Sequence, residues 1–258
     1  MRKIKVAAII PARMNSSRYP GKPLIEIEGL PMIEHVRRRA LLCNQFSDVV
    51  VATCDNEIKD IVEDYGGNVI MTKDTHIMAS DRVAEAVKMV ECTHVVNVQG
   101  DEILILPDDL STMVDTIKRN PNVEYLNATA EIESIFEIKD TSIVKCIISN
   151  KGMVLYCSRD FSSLNLSKPF EPVKKILGIL GYSKESILNF SNLKRTEIEI
   201  TQSIDQSRVI ENDLKLLSVP FKKGYPGIND KKEERQVRKI LEVDEHQQSI
   251  LKKVLTRF

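Results

Sequence analysis

The first half of the chain alternates short apolar runs with segments in which apolar residues recur every three or four positions. Residues 6–10 are apolar without interruption, the pattern of a parallel strand covered on both faces. Pro31 opens a helix on which Ile33, Val36, Ala40 and Leu41 share one side. A second strand is expected over 48–53, followed by a helix capped by Asp55 that carries Ile58, Ile61 and Val62 and ends at Gly66-Gly67. Residues 68–71 read as a third strand and 94–98 as a fourth. Between them Ser80 is expected to cap a helix through Val83, Ala86, Val87 and Val90, and Pro107 starts another bearing Leu110, Met113 and Ile117. Strands and helices in turn imply an α/β fold with a doubly wound, mostly parallel sheet. Ligands on such sheets bind at the carboxyl ends of the strands.

Beyond about residue 123 the alternation gives way to short strand candidates at 124–129, 144–148 and 153–157, with little helix between them. The polar stretch 160–175, with Ser162, Ser163, Ser167 and two prolines, reads as an exposed arm. Helices over 231–241 and 245–254 close the chain. With no internal repeat, the expected organisation is one domain over 1–258 with a β-rich inserted part at about 123–185.

Composition narrows the function classes. Lys plus Arg and Asp plus Glu both number 37, so no net field points to nucleic acid or an anionic membrane as the main partner. The cysteines at 43, 54, 92, 146 and 157 form no CxxC pair and read as reduced, structural thiols. The apolar run near the N-terminus is five residues long before a proline, shorter than a signal-peptide core or a membrane span, and a cytoplasmic protein is expected. His35 and His94 lie in apolar segments and read as structural, His246 as solvated, and His76 as at most a supporting residue of a site. The run 231–235 reads as a charged helix surface.

Two segments carry candidate chemistry. The loop after the first strand, within 11–24, holds Arg13, Arg18 and Lys22 together with Ser16, Ser17 and Gly21. Three cations at the carboxyl edge of a parallel sheet suit a triphosphate, because arginine grips phosphate oxygens with a planar fork and lysine adds a compact charge. The loop has neither Walker nor GxGxxG spacing, and a solvated basic turn is the alternative. The second segment, 95–102, delivers Gln99, Gly100, Asp101 and Glu102 at the end of a hydrophobic strand. Asp101 there suits Mg²⁺, which takes one or two protein carboxylates plus phosphate oxygens; an ordinary polar turn is the alternative.

Taken together, the two segments resemble the 3-deoxy-manno-octulosonate (Kdo) cytidylyltransferase family, the CMP-Kdo synthetases. The likeness is nearly residue for residue over 11–24 and complete for VNVQGDE at 96–102. It continues through Gly66-Gly67, Met71-Thr72 and 81–85, and more weakly through 155–159 and 205–208. The resemblance implies a nucleotide-diphospho-sugar transferase-like fold, transfer of CMP from CTP to a sugar acid with release of pyrophosphate, Mg²⁺ as cofactor, a homodimer, and a place in lipopolysaccharide biosynthesis. Carried over by position, it makes Arg13, Lys22 and Asp101 catalytic. Pro11, Ala12, Arg13, Ser17, Arg18, Lys22, Arg82 and Gln99 would bind the nucleotide. Gln99, Arg159, Tyr182, Asp205 and Gln206 would face the acceptor, and Asp101 with Asn229 or Asp230 would hold the metal.

Departures from the family pattern concentrate on the acceptor side. The family's HxSGTER reads His76-Ile77-Met78-Ala79-Ser80-Asp81-Arg82 here, without the Ser-Gly pair. Its HLGIYGY strand has Ile176 and Leu180 in place of a His and a Tyr, and Asp205 is one methylene shorter than the family's Glu. Asn229 stands where the family has a second metal-binding Asp, with Asp230 next to it. These changes keep three acceptor readings open: Kdo itself, an amino-modified or other ulosonic acid, or a phosphonate. A nucleotide-binding homologue without transfer activity is the fourth reading.

Overall fold

A computed structural model of the chain describes residues 3–16, 18–164, 170 and 173–257. The first half contains β1 (Val6–Pro11), β2 (Glu26–Ile27), β3 (Leu30–Pro31), α1 (Met32–Leu41), β4 (Asp48–Thr53), α2 (Asn56–Asp64), β5 (Asn68–Met71), α3 (Ala79–Ala86), β6 (His94–Val98) and α4 (Pro107–Arg119). The second half adds β7 (Tyr125–Glu131), α5 (Ile135–Lys139), β8 (Lys145–Ile148), β9 (Val154–Ser158), β10 (Val173–Ser183), α6 (Lys184–Phe190), α7 (Glu197–Gln202), α8 (Asp205–Glu211), β11 (Leu216–Pro220), α9 (Lys231–Val243) and α10 (Glu245–Thr256).

The main sheet runs β11-β7-β10-β6-β1-β4-β5. Pairs β1–β4, β1–β6, β4–β5 and β7–β11 are parallel, whereas β10 lies antiparallel between β6 and β7. The expected mostly parallel α/β sheet is therefore present, with one reversed strand at its centre. Alternate residues of β1 feed two cores, as a strand's period of two requires. Ala8 and Ile10 pack with α1, α4 and α9, while Ala7 and Ile9 pack with α3, α6 and α8. The β8–β9 hairpin extends the sheet from the first residues of β10.

Four sequence expectations change. α3 begins at Ala79 with Met78 at its cap position, so Ser80 lies inside the helix and does not cap it. Asp55 occupies the cap position of α2, yet its carboxylate accepts the Met14 N–H at 2.8 Å and makes no cap bond to the helix. Between residues 131 and 220 the chain is richer in helix than its pattern suggests, because α5, α6, α7 and α8 have only five to seven residues each, too few to display helical periodicity. The arm expected over 160–175 is only partly exposed: Phe161 and Phe170 are buried with Ile132 and Ile138, and residues 173–175 belong to β10. Residues 165–169, 171 and 172 of that stretch lie outside the described residues.

All five cysteines are free, three of them buried. No helix among the described residues is long and apolar enough to cross a membrane.

Candidate active site

The ends of two strands and one later segment converge on the site. β1 ends at Pro11, and the loop that follows folds back on itself, with the Met14 carbonyl accepting the N–H groups of both Ser16 (3.0 Å) and Gly21 (2.9 Å). Gly21 makes this closure at φ +73°, a left-handed conformation that favours glycine. Lys22 follows directly, and its ammonium donates to Asp101 Oδ2 at 2.7 Å and to the Ile228 carbonyl at 3.0 Å. Asp101 comes from the turn after β6, the strand beside β1. Gly100 lets that turn approach β1, since a Cβ there would lie 2.8 Å from the Pro11 carbonyl.

A third segment comes from far along the chain. Gly227 packs backbone to backbone on Asp101, where a Cβ would lie 2.9 Å from the Asp101 carbonyl, and Ile228 N–H donates to that same oxygen at 3.1 Å. Asn229 then accepts a hydrogen bond from the Arg18 guanidinium at 2.9 Å. Asp230 instead caps α9, its Oδ1 accepting the N–H groups of Lys232 (2.8 Å) and Glu233 (2.9 Å). Asn229 is thus the candidate whose side-chain oxygen faces the loop cations, and Asp230 is tied to the helix.

Pro11, Ala12, Arg13, Arg18, Lys22, Arg82, Gln99 and Asp101 line one cavity of about 250 Å³, together with His76, Ile77, Met78 and Ala79. Arg13 and Arg18 are exposed at this cavity, whereas Arg82 is buried and bonded to Thr72, to the Lys73 carbonyl at 3.3 Å and to Cys54 at 3.4 Å. Ser17 lies outside the described residues. Next to Asp101, the Glu102 carboxyl accepts the Gly178 N–H at 2.7 Å. Burial first, and then the charge of Asp101, pushes that carboxyl up to about 8. The Gly178 carbonyl in turn accepts the Gln99 N–H at 2.9 Å, so the turn after β6 grips β10 from both sides where β10 breaks register between Ile176 and Leu180.

Of the residues assigned to the acceptor, Gln99 lines this cavity, whereas Arg159, Tyr182, Asp205 and Gln206 do not. Tyr182 is 2% exposed, and its hydroxyl meets Ser80 Oγ at 3.2 Å. Ser80 also donates to Asp205 Oδ2 at 2.7 Å. Burial raises the Asp205 carboxyl above its usual range, opposed by the Ser80 hydrogen bond. Gln206 is buried and donates to Asn127 Oδ1 at 2.6 Å. Arg159 donates to four backbone carbonyls, those of Gln202, Thr141, Ser142 and Ser203. Tyr182 and Gln206 are thus buried, with the Tyr182 hydroxyl and the Gln206 amide nitrogen bonded inside the protein. Leu180, likewise 2% exposed, acts through packing.

Several contacts around the cavity escape a sequence reading. Tyr19, Glu233 and Glu234 carry no motif of their own, and the last two sit in a charged run that looks like any solvated helix. Tyr19 donates to Glu234 Oε2 at 2.7 Å, and Glu233 accepts the Asn229 N–H at 2.6 Å. His76 pairs with Glu85 at the cavity wall. His35 is buried and bonded to the Ile27 carbonyl at 2.7 Å, in keeping with a structural role.

Comparison with known proteins accords with this geometry. A family model described as Cytidylyltransferase matches residues 7–216. An 8-amino-3,8-dideoxy-manno-octulosonate cytidylyltransferase of Shewanella piezotolerans is 36% identical over 218 residues, covering 83% of this chain and 89% of that protein. A 3-deoxy-manno-octulosonate cytidylyltransferase of Geobacter metallireducens is 33% identical, covering 83% and 88%. A solved CMP:2-keto-3-deoxy-manno-octonic acid synthetase complexed with CTP superimposes with a TM-score of 0.86 at 32% identity, over 92% of this chain and 98% of its own. The same fold, at 14% identity and a TM-score of 0.64, recurs in a 4-diphosphocytidyl-2C-methyl-D-erythritol synthase of Anaerococcus prevotii. The chain belongs to the 3-deoxy-manno-octulosonate type of the cytidylyltransferase family.

Proposed function

We propose that this enzyme couples CTP to a 3-deoxyoctulosonate, either Kdo or its 8-amino form, giving the CMP-sugar and pyrophosphate. The observation that carries the reading is the convergence of Arg13, Arg18, Lys22, Gln99 and Asp101 on one cavity at the ends of β1 and β6. The anomeric hydroxyl oxygen of the acid attacks the α-phosphorus. Its bond to phosphorus forms as the bridge to the β-phosphate breaks, pyrophosphate leaves with the electron pair, and the hydroxyl proton passes to solvent. No side-chain nucleophile takes part, so the protein's task is positioning and charge stabilisation. Arg13, Arg18 and Lys22 hold the phosphates and offset the negative charge that builds on the leaving group. Intact Arg13, Lys22 and Asp101 speak against a binding protein without transfer activity.

The donor set around Asp101 suits Mg²⁺. Such an ion takes one or two protein oxygens and completes its shell with phosphate and water. Asp101 and Asn229 would hold it, and the bound ion would neutralise phosphate charge. On the acceptor side, Gln99 lines the cavity and Asp205 is half-buried; these two face the acid, supported by Arg159, Tyr182 and Gln206. Assembly as a homodimer through the β-rich part accords with Phe136, Leu155 and Tyr156, which are 80%, 56% and 41% exposed there.

The test is Mg²⁺-dependent pyrophosphate release from CTP, with UTP as the base control, over Kdo, 8-amino-Kdo, other ulosonic acids and a phosphonate. Release is expected with CTP and an octulosonate, and the ratio of kcat/KM for the two octulosonates decides between hydroxyl and amine at C8. Absence of release with every acid overturns the reading. Light scattering of wild type and Phe136→Lys tests the dimer, with a monomer expected for the variant.

A further inference from the structure

The side chains that grip phosphate sit on a loop, and a loop holds a fixed geometry only where something outside it does the holding. Besides Asp55, which accepts the Met14 N–H, one such element is α9, which lies beyond residues 7–216 matched by the family model. Glu234, in its first turns, accepts the Tyr19 hydroxyl at 2.7 Å. Arg238, one turn further, donates to Glu234 Oε1 at 2.7 Å and to the Glu26 carbonyl at 2.7 Å. The segment from Tyr19 to Glu26 is therefore pinned at both ends by one face of one helix, and Lys22 sits between the pins. The neighbouring Glu233 accepts the Asn229 N–H at 2.6 Å, fixing the segment on which Lys22 and Arg18 both rest. The Tyr19 phenol is raised, first by its hydrogen bond to Glu234, and the Glu234 carboxyl is lowered, first by the same bond, so the contact is a neutral donor on an ionised acceptor. Such charge-assisted bonds are the strong ones.

We propose that Glu234, acting through the Tyr19 hydroxyl and seconded by Arg238, is a positioning residue that sets Lys22 and Arg18 for the triphosphate of CTP. The proposal rests on the reading of the first loop as the triphosphate grip. It makes α9 part of the nucleotide-binding machinery without any contact to the nucleotide. The charged run 231–235 thereby acquires a task on one side of the helix, while Lys231, Lys232 and Arg235 remain exposed on the other.

The experiment compares Tyr19→Phe, Glu234→Ala and Glu234→Gln by steady-state pyrophosphate release, by calorimetric CTP binding and by thermal unfolding. Loss of a hydrogen bond to a charged group is expected to weaken CTP about tenfold, in both KM and Kd, for Tyr19→Phe and Glu234→Ala. The acceptor KM stays within about twofold of wild type for all three, as expected of a site the substitution does not touch. Glu234→Gln keeps an oxygen for the Tyr19 hydroxyl and restores most of the CTP affinity. An unchanged CTP affinity in Tyr19→Phe overturns the proposal. So does a loss shared equally by CTP, acceptor and melting temperature, or a Gln variant as weak as the Ala variant. If no acid supports turnover by the wild type, the calorimetric arm still decides about α9, so failure of the brace and failure of the assigned reaction are separable.

Discussion

On the nucleotide side of the cavity, Lys22 reaches Asp101 at 2.7 Å and Arg18 reaches Asn229 at 2.9 Å, between loops that touch solvent. On the proposed acceptor side, buried Ser80 is bonded to Tyr182 and Asp205, and buried Gln206 is bonded to Asn127. The first arrangement is open to exchange its partners for those of a ligand, since Arg18 is exposed and the Lys22 and Asp101 side chains keep 15% and 18% of their surface open to water. The second is not, because any group withdrawn from it leaves a buried partner unsatisfied. The nucleotide side should therefore answer to mutation in rate, and the acceptor side in stability and acceptor affinity together.

Lys22→Ala and Asp101→Ala give the largest effect that this contrast predicts. Each should lower kcat/KM by about 10²–10³-fold, the scale for removing one group that stabilises transition-state charge. Melting temperatures should stay close to wild type, and a large fall in either would break the contrast.

Acid stability is the next test, and it concerns the layer beneath the nucleotide loop. Burial, with Arg39 and Arg38 adding to it, lowers His35 from 6.5 to about 4. Protons therefore bind the unfolded chain more readily than the folded one. Stability is whole above pH 6.5 and falls as pH drops from 6.5 toward 4, by about 3 kcal/mol if nothing else titrates. Urea denaturation across that window checks it, with His35→Gln expected to flatten the decline.

On the acceptor side Gly178→Ala brings a Cβ to 2.6 Å from Glu102 Oε1 and 3.1 Å from Gln99. Overpacking of this kind costs about 1–3 kcal/mol. Because the same glycine joins the turn after β6 to β10, both KM values should rise, and a rise confined to one substrate would uncouple the two sides.

The smallest predicted effect belongs to Ser80→Ala, which removes the hydroxyl shared by Asp205 and Tyr182. A stability loss of about 1–2 kcal/mol is expected, with a higher acceptor KM and an unchanged CTP KM. An unaltered acceptor KM would remove Asp205 from the acceptor wall.

The same contrast explains how much of the molecule could be read from its residues. The nucleotide side comes from two contiguous stretches, 11–24 and 96–102, and each follows a strand that its own apolar run announces. Motif and element coincide there, so place and chemistry were both legible. Across the cavity, Ser80, Tyr182, Asp205 and Gln206 lie on three different elements, one of them a helix of seven residues that shows no periodicity. Asp55 had the signature of a helix cap, but a tertiary partner, the Met14 amide, won its carboxylate. Glu234 had the signature of a solvated charge, and the Tyr19 hydroxyl gave it a partner 215 residues away.

By itself the sequence determined the alternating strands and helices of the first half, the sheet edge at which a ligand binds, and the cations and carboxylate gathered there. Those properties depend on local propensity and on periodicities that a few consecutive residues carry. The tertiary structure alone decided that β10 runs antiparallel at the centre of the sheet, that Asn229 faces Arg18 while Asp230 caps α9, and that Glu234 of α9 bonds Tyr19 of the first loop. Apart from the Asp230 cap, whose partners are local, these depend on residues more than 75 positions apart, which side chains choose by packing and hydrogen bonding only once the chain has closed around its two cores.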